Sequence, residues 1–187
     1  MSINADPNPK SAAETAPARI KLLFLVGMPG VGKTYWGNEV AHELGLNFVD
    51  LDNFIAAGEN ASIPALFATY GEKGFREREQ AQLKKLIKSL STNTIVACGG
   101  GTPCYSNNMA IIKDAGTAIY LKADIPTLLD QLSRSSEARP LLKNRGNLGT
   151  YLASLLETRK VFYNQANHIL QTKDISVATF AKIISNA

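Results

Sequence analysis

A chain of 187 residues with 45% hydrophobic content and a net charge of +4 can build one α/β domain with a sizeable core, and is too short for two. No apolar run reaches the length of a membrane span, the first residues lack the apolar centre of a signal peptide, and two cysteines are too few for a disulfide framework or a metal cage. The positive residues are not blocked into an arm or stripe, which argues against nucleic acid and for a pocket that takes anionic small molecules in a reducing, cytoplasmic setting.

Residues 1–19, rich in Asn, Ala, Pro and Ser, have almost nothing to bury and read as a disordered tail ahead of a single domain over 20–187. A short buried strand is expected over 20–26. It is followed by Gly27-Met28-Pro29-Gly30-Val31-Gly32-Lys33-Thr34 and a helix over 35–44 with Val40, Ala41 and Leu44 on one face. The octet fits G-x-x-x-x-G-K-[ST], the phosphate-binding P-loop. Strand, glycine loop and helix start follow in the order that aims successive backbone N–H groups and the positive end of a helix dipole at one anion. That context disfavours a merely structural turn. Gly30, Val31, Gly32, Lys33, Thr34 and Tyr35 are the expected nucleotide-binding residues, with Lys33 reaching the β- and γ-phosphates and Thr34 ligating Mg²⁺.

A second strand over 46–49 runs into Asp50-Leu51-Asp52. Two carboxylates one residue apart at a strand end can divide the work: one holds Mg²⁺ directly or through its waters, the other orients or deprotonates an acceptor hydroxyl. The competing reading is that Asp52 only N-caps the helix that follows. Helices are predicted over 62–70 and 72–90, then a strand over 94–98 that runs into Gly99-Gly100-Gly101. Cys98 reads as a small buried residue at that strand end rather than a catalytic thiol. A strand over 117–121 and a helix over 126–132 lead to a polar stretch, 135–149, which Pro140, Gly146 and Gly149 interrupt; it reads as a mobile loop. A helix over 150–164, a strand over 168–170 and a helix over 177–184 complete the chain. This alternation predicts a mainly parallel sheet with helices on both faces. Three strands of such a sheet would then end in groups able to do chemistry: the P-loop, the Asp50/Asp52 pair and the triple glycine.

Three arginines stand out. Arg76 lies near the start of the long helix, Arg139 opens Arg139-Pro140-Leu141-Leu142, and Arg159 lies in the helix over 150–164. A lone helical arginine is by default a solvated surface residue. Phosphoryl transfer changes the weighting, because an arginine on a closing loop can meet the transition-state charge.

Taken in order, the motifs resemble the shikimate kinase family. They are Gly27–Thr34, Asp50-Leu51-Asp52, Gly71-Glu72 with Phe75-Arg76-x-x-Glu79, Gly99-Gly100-Gly101, Arg139-Pro140-Leu141-Leu142, and Arg159 with Tyr163. The resemblance covers nearly everything from Leu22 to Leu170. It implies a three-layer α/β/α P-loop kinase fold with a five-stranded parallel sheet ordered 2-3-1-4-5 and a mobile lid over about 135–149. It also implies ATP-dependent phosphorylation of the shikimate 3-hydroxyl, with Mg²⁺, on the route to chorismate and aromatic amino acids. Carried over residue by residue, Lys33, Thr34 and Asp50 handle phosphates and metal, and Asp52 holds the shikimate hydroxyls as the best candidate base. Arg76 and Arg159 grip the substrate carboxylate, and Gly99, Gly100 and Gly101 line the same pocket. Arg139 swings in on the lid, and Arg134 is the nearest match to the arginine that packs on adenine.

The family's proline shortly after the substrate arginine is replaced here, where Lys160 and Val161 follow Arg159, and Arg145 is an extra lid cation without a counterpart. A gluconate kinase of the same fold and a non-catalytic nucleotide-binding regulator are the competing functions; Arg76, Arg159 and the triple glycine argue against the first, and the presence of Lys33, Asp52 and Arg139 against the second. A monomer is expected, since a fold that closes its own site around two small substrates has no need of a partner.

Overall fold

The computed structural model describes residues 21–134 and 147–186. The expected tail over 1–19, together with Arg139, Arg145 and residues 135–146 of the expected lid, lies outside them.

Five parallel strands form one sheet in the order β2-β3-β1-β4-β5. β1 (Leu22–Val26) is central and buried along its whole length, which is why it is an unbroken apolar run rather than an alternating one. β3 (Thr94–Ala97) and β4 (Thr117–Lys122) flank it, β2 (Asn47–Asp50) and β5 (His168–Gln171) form the edges, and the predicted strand order holds. Phe24, Leu25, Val26, Ile95, Ile119 and Leu121 make the fully buried centre. At the start of β4 the sheet is so close that a Cβ on Gly116 would come within 2.2 Å of the Leu22 carbonyl oxygen. Gly116→Ala is therefore expected to cost about 1–3 kcal/mol of overpacking, read as a fall in Tm of roughly 3–10 °C for a chain of this size.

Helix α1 (Lys33–Leu44) starts directly from the glycine loop and stops at Gly45, whose left-handed φ of 64° lets its N–H close on Ala41 and His42 carbonyls. Helix α2 (Leu51–Gly58) follows β2 with no loop at all. Helix α3 (Ile63–Ser89) is broken at Gly71 (φ 64°, ψ −177°), the point where the sequence pattern divides two helices. Phe67 and Phe75 stack across the break with ring centroids 4.1 Å apart, and the Arg78 guanidinium sits 3.5 Å over the Tyr70 ring. The remaining helices are α4 (Asn108–Ala115), α5 (Ile125–Arg134), α6 (Leu148–Tyr163) and α7 (Val177–Ser185). The sequence pattern carries α2 only through the reading that Asp52 caps it, and it carries no signal for α4. α6 begins two residues inside the expected loop because the Asn147 side chain accepts from the Thr150 N–H and caps it there.

Candidate active site

The P-loop leaves β1 through three glycines in left-handed geometry: Gly27 (φ 141°), Gly30 (φ 83°) and Gly32 (φ 90°). α1 opens at Lys33, directly after Gly32, so the N-terminal end of the helix begins at the loop itself. Lys33 is only 6% exposed, and its ammonium donates to the carbonyls of Gly27 and Met28, both at 2.9 Å. The Thr34 hydroxyl donates to Asp50 Oδ2 at 2.8 Å, which ties the loop to the end of β2. Asp50 Oδ1 accepts from the Asp52 and Asn53 N–H groups at 3.0 and 3.3 Å, so Asp50, not Asp52, caps α2. That leaves the Asp52 carboxylate without the capping task. A cavity opens above this arrangement, lined by Gly30, Gly32, Lys33, Thr34, Tyr35, Asp50 and Asp52.

A second cavity lies beside the first, between the end of β3, helix α3 and helix α6. Asp52, Arg76, Gly99, Gly100 and Arg159 line its polar side; Ile63, Phe67, Phe75 and Leu155 line its apolar side. Arg76 is held on every flank. It donates to Glu79 Oε2 at 2.8 Å and reaches Glu72 Oε1 at 3.5 Å, and its guanidinium lies 4.1 Å over the Tyr105 ring. Burial alone would lower its pKa; Glu79 and Glu72 outweigh that and raise it, so the guanidinium stays charged. The Arg76 Nε is buried with no hydrogen-bond partner among the described residues. Glu79 is itself 1% exposed and uses its other oxygen to accept from the Thr102 hydroxyl at 2.7 Å, so one buried carboxylate joins the arginine to the segment after the triple glycine. At Gly99 a Cβ would fall 2.7 Å from Asp52 Oδ1, which explains bare backbone there: any side chain would displace the carboxylate.

Most of the expected site residues come together in these two cavities, and three do something else. Val31 is fully buried and packs into the core, with only its backbone serving the loop. Gly101 is not among the lining residues; a Cβ there would come within 2.6 Å of the Arg76 guanidinium, so it makes room for the arginine. Arg134 is 77% exposed and pairs with Asp130 of the previous turn at 2.9 Å, while Gln131 and Leu132 of the same helix face the phosphate loop. Cys98 is buried, and burial pushes its thiol pKa far up, as suits a packing residue. Burial likewise pushes Cys104 up to about 11, against the pull of Arg159 and Arg76. The aromatic wall of Phe67 and Phe75 and the contributions of Tyr151 and Leu155 were not anticipated. Tyr151, Leu155 and Arg159 recur every four residues on one helix, a spacing the sequence does display.

The family model described as "Shikimate kinase" matches residues 29–187. The chain belongs to the shikimate kinase family. The kinase is 36% identical over 160 residues to a shikimate kinase of Azobacteroides pseudotrichonymphae, covering 84% of this chain and 94% of that one. Among solved structures it is similar to the shikimate kinase of Bacteroides thetaiotaomicron (TM-score 0.83, 28% identity, 88% of this chain and 98% of that one). It is also similar to that of Acinetobacter baumannii, solved in complex with shikimate (TM-score 0.77, 32% identity, 89% of this chain and 92% of that one). The kinase is thus a phosphotransferase that moves a phosphoryl group from ATP to the shikimate 3-hydroxyl, and the gluconate kinase and regulator readings are not favoured. Among the described residues no helix is long and apolar enough to cross a membrane.

Proposed function

We propose that the two cavities hold the two substrates, ATP over the P-loop and shikimate between α3 and α6, and that Asp52 stands at the point of transfer. One observation carries this reading: among the described residues, Asp52 is the side chain that lines both cavities. A carboxylate there can accept the proton of the attacking hydroxyl as the γ-phosphoryl group leaves ADP. Arg76 and Arg159 then take the substrate carboxylate at the far end of the pocket. Both guanidinium groups line this cavity, and two cations on one wall suit a carboxylate. Phe67 and Phe75 cover the apolar face of the ring, and Gly99 and Gly100 let it lie against backbone.

The residues present fit Mg²⁺. Thr34 Oγ1 and Asp50 Oδ2, already 2.8 Å apart, are hard oxygen donors beside the phosphate loop, and a P-loop site completes the octahedron with phosphate oxygens and water. No cluster of three or more acidic, His or Cys ligands occurs among the described residues, and none is needed for such a site. When bound, Mg²⁺ neutralises charge on the transferring phosphates. Lys33 does the same from the protein side. Arg139, outside the described residues, is the further cation this reading assigns to the transferring phosphoryl group, and Arg134, paired with Asp130, is the one it assigns to adenine. The kinase works as a cytoplasmic monomer.

Mutation of Arg159 tests the assignment of the second cavity. Arg159→Ala is expected to raise the shikimate KM by roughly 10- to 150-fold, the equivalent of a charged hydrogen bond of about 1.5–3 kcal/mol, with the ATP KM nearly unchanged. Equal effects on both constants would make Arg159 a structural residue of α6. ADP release that shikimate stimulates, and gluconate does not, checks the acceptor itself.

A further inference from the structure

Tyr163 is fully buried, yet its hydroxyl is directed at the active-site backbone. It donates to the Gly100 carbonyl at 2.6 Å and lies 3.9 Å from Met28 Sδ in the P-loop. Its ring leans on Tyr120 at 5.0 Å between centroids, and Tyr120 pairs in register with Val26, the last residue of β1 before the loop. On its other side Gly100 has no slack: a Cβ there would come within 2.8 Å of Pro29 Cδ and 3.2 Å of the Pro29 nitrogen. Gly100 thus sits between Pro29 of the P-loop, on its Cα side, and, at its carbonyl, a helix that also carries Arg159, one turn earlier on the same face.

We infer that Tyr163 is a positioning residue for shikimate: its hydroxyl fixes the Gly100–Gly101 peptide and so registers the glycine wall of the shikimate cavity against the P-loop. Three successive glycines carry no side chain to restrain them, and a planar peptide held at its oxygen has its N–H direction set as well. The Gly99 and Gly101 carbonyls are held by the Thr102 and Cys104 N–H groups at 3.1 and 2.9 Å, so the Tyr163 hydroxyl restrains the peptide between them; without it that peptide tilts and the pocket wall shifts at Gly100, while the nucleotide loop keeps its own bonds. The inference rests on the placement of shikimate in the second cavity.

Tyr163→Phe keeps the ring and its packing on Tyr120 and removes only the O–H. It is expected to raise the shikimate KM roughly five- to tenfold with little change in the ATP KM. Tyr120→Phe removes the neighbouring hydroxyl, leaves the Gly100 bond in place, and is expected to leave both constants unchanged. Isothermal titration of shikimate into each variant gives the same comparison without turnover. If Tyr163→Phe leaves the shikimate constant unchanged while Arg159→Ala raises it, the positioning role is wrong and the pocket assignment stands. If Tyr163→Phe raises both constants equally, or Tyr120→Phe matches its effect, Tyr163 is a general packing residue. If neither Arg159→Ala nor Tyr163→Phe moves the shikimate constant, the cavity itself is misassigned.

Discussion

Asp52→Asn is expected to lower kcat by on the order of 10²–10⁴, the usual worth of a positioned general base, while the Kd for ATP stays close to wild type. The structure makes this substitution unusually clean. The capping of α2 is done by Asp50, whose Oδ1 accepts from both the Asp52 and Asn53 N–H groups, so asparagine at 52 removes no cap. The new side chain has the same shape and fits against Gly99, where there is no Cβ to resist it. The negative charge lost from the first turn of a short helix contributes about 0.3–1 kcal/mol of dipole interaction, and Tm measured on the same preparation separates any change in folding from the change in turnover. A loss of turnover with intact folding and ATP binding therefore reports on the chemistry. Unchanged kcat would remove Asp52 as the proton acceptor and leave it as a residue that merely orients the hydroxyls, visible then as a raised shikimate KM alone.

The parallel sheet and the P-loop were legible because each has a local cause: an unbroken apolar strand, then glycines where φ must be positive, then a helix start. The break in α3 was legible for the same reason, since Gly71 stands where a left-handed residue is required. Helix α2 was legible only as a helix capped by Asp52, and its true cap was not, because Asp50 is strand end and helix cap at once and leaves no turn signal between β2 and α2. α4 is only eight residues long and opens at Asn107 in left-handed geometry without a side-chain cap, so nothing in its sequence announces a start. At the site, residue type alone could not separate a side-chain role from a backbone one. Val31 and Gly101 sit inside functional motifs, yet one fills the core and the other makes room for Arg76. Glu79 was visible as part of a motif, but its work depends on Thr102, which is 23 residues away in sequence and is brought beside it only by the packing of α3 against the end of β3. Long-range pairings of this kind leave no periodicity to read.

Lys33→Met should abolish most turnover, by on the order of 10³ in kcat/KM for ATP, because it deletes a preorganised positive charge at the transferring phosphates. A purely structural reading of Lys33 is open on geometry alone, since its ammonium is tied to the Gly27 and Met28 carbonyls of its own loop. Magnitudes separate the two readings. Methionine matches the length of the lysine stem and fills the same buried channel, so packing is conserved. Two carbonyl bonds are lost, costing about 1–3 kcal/mol if those oxygens stay dry, but the cation of a buried residue no longer has to be desolvated, and that relief is of comparable size. The folded state should therefore survive with a small change in Tm, and the ATP Kd should weaken. If Lys33 only braces the loop, the opposite pattern follows: Tm falls by several degrees while more than about a tenth of the activity remains at saturating ATP. Measuring Tm and turnover on the same preparation decides between a charge that acts on phosphate and one that acts on the fold.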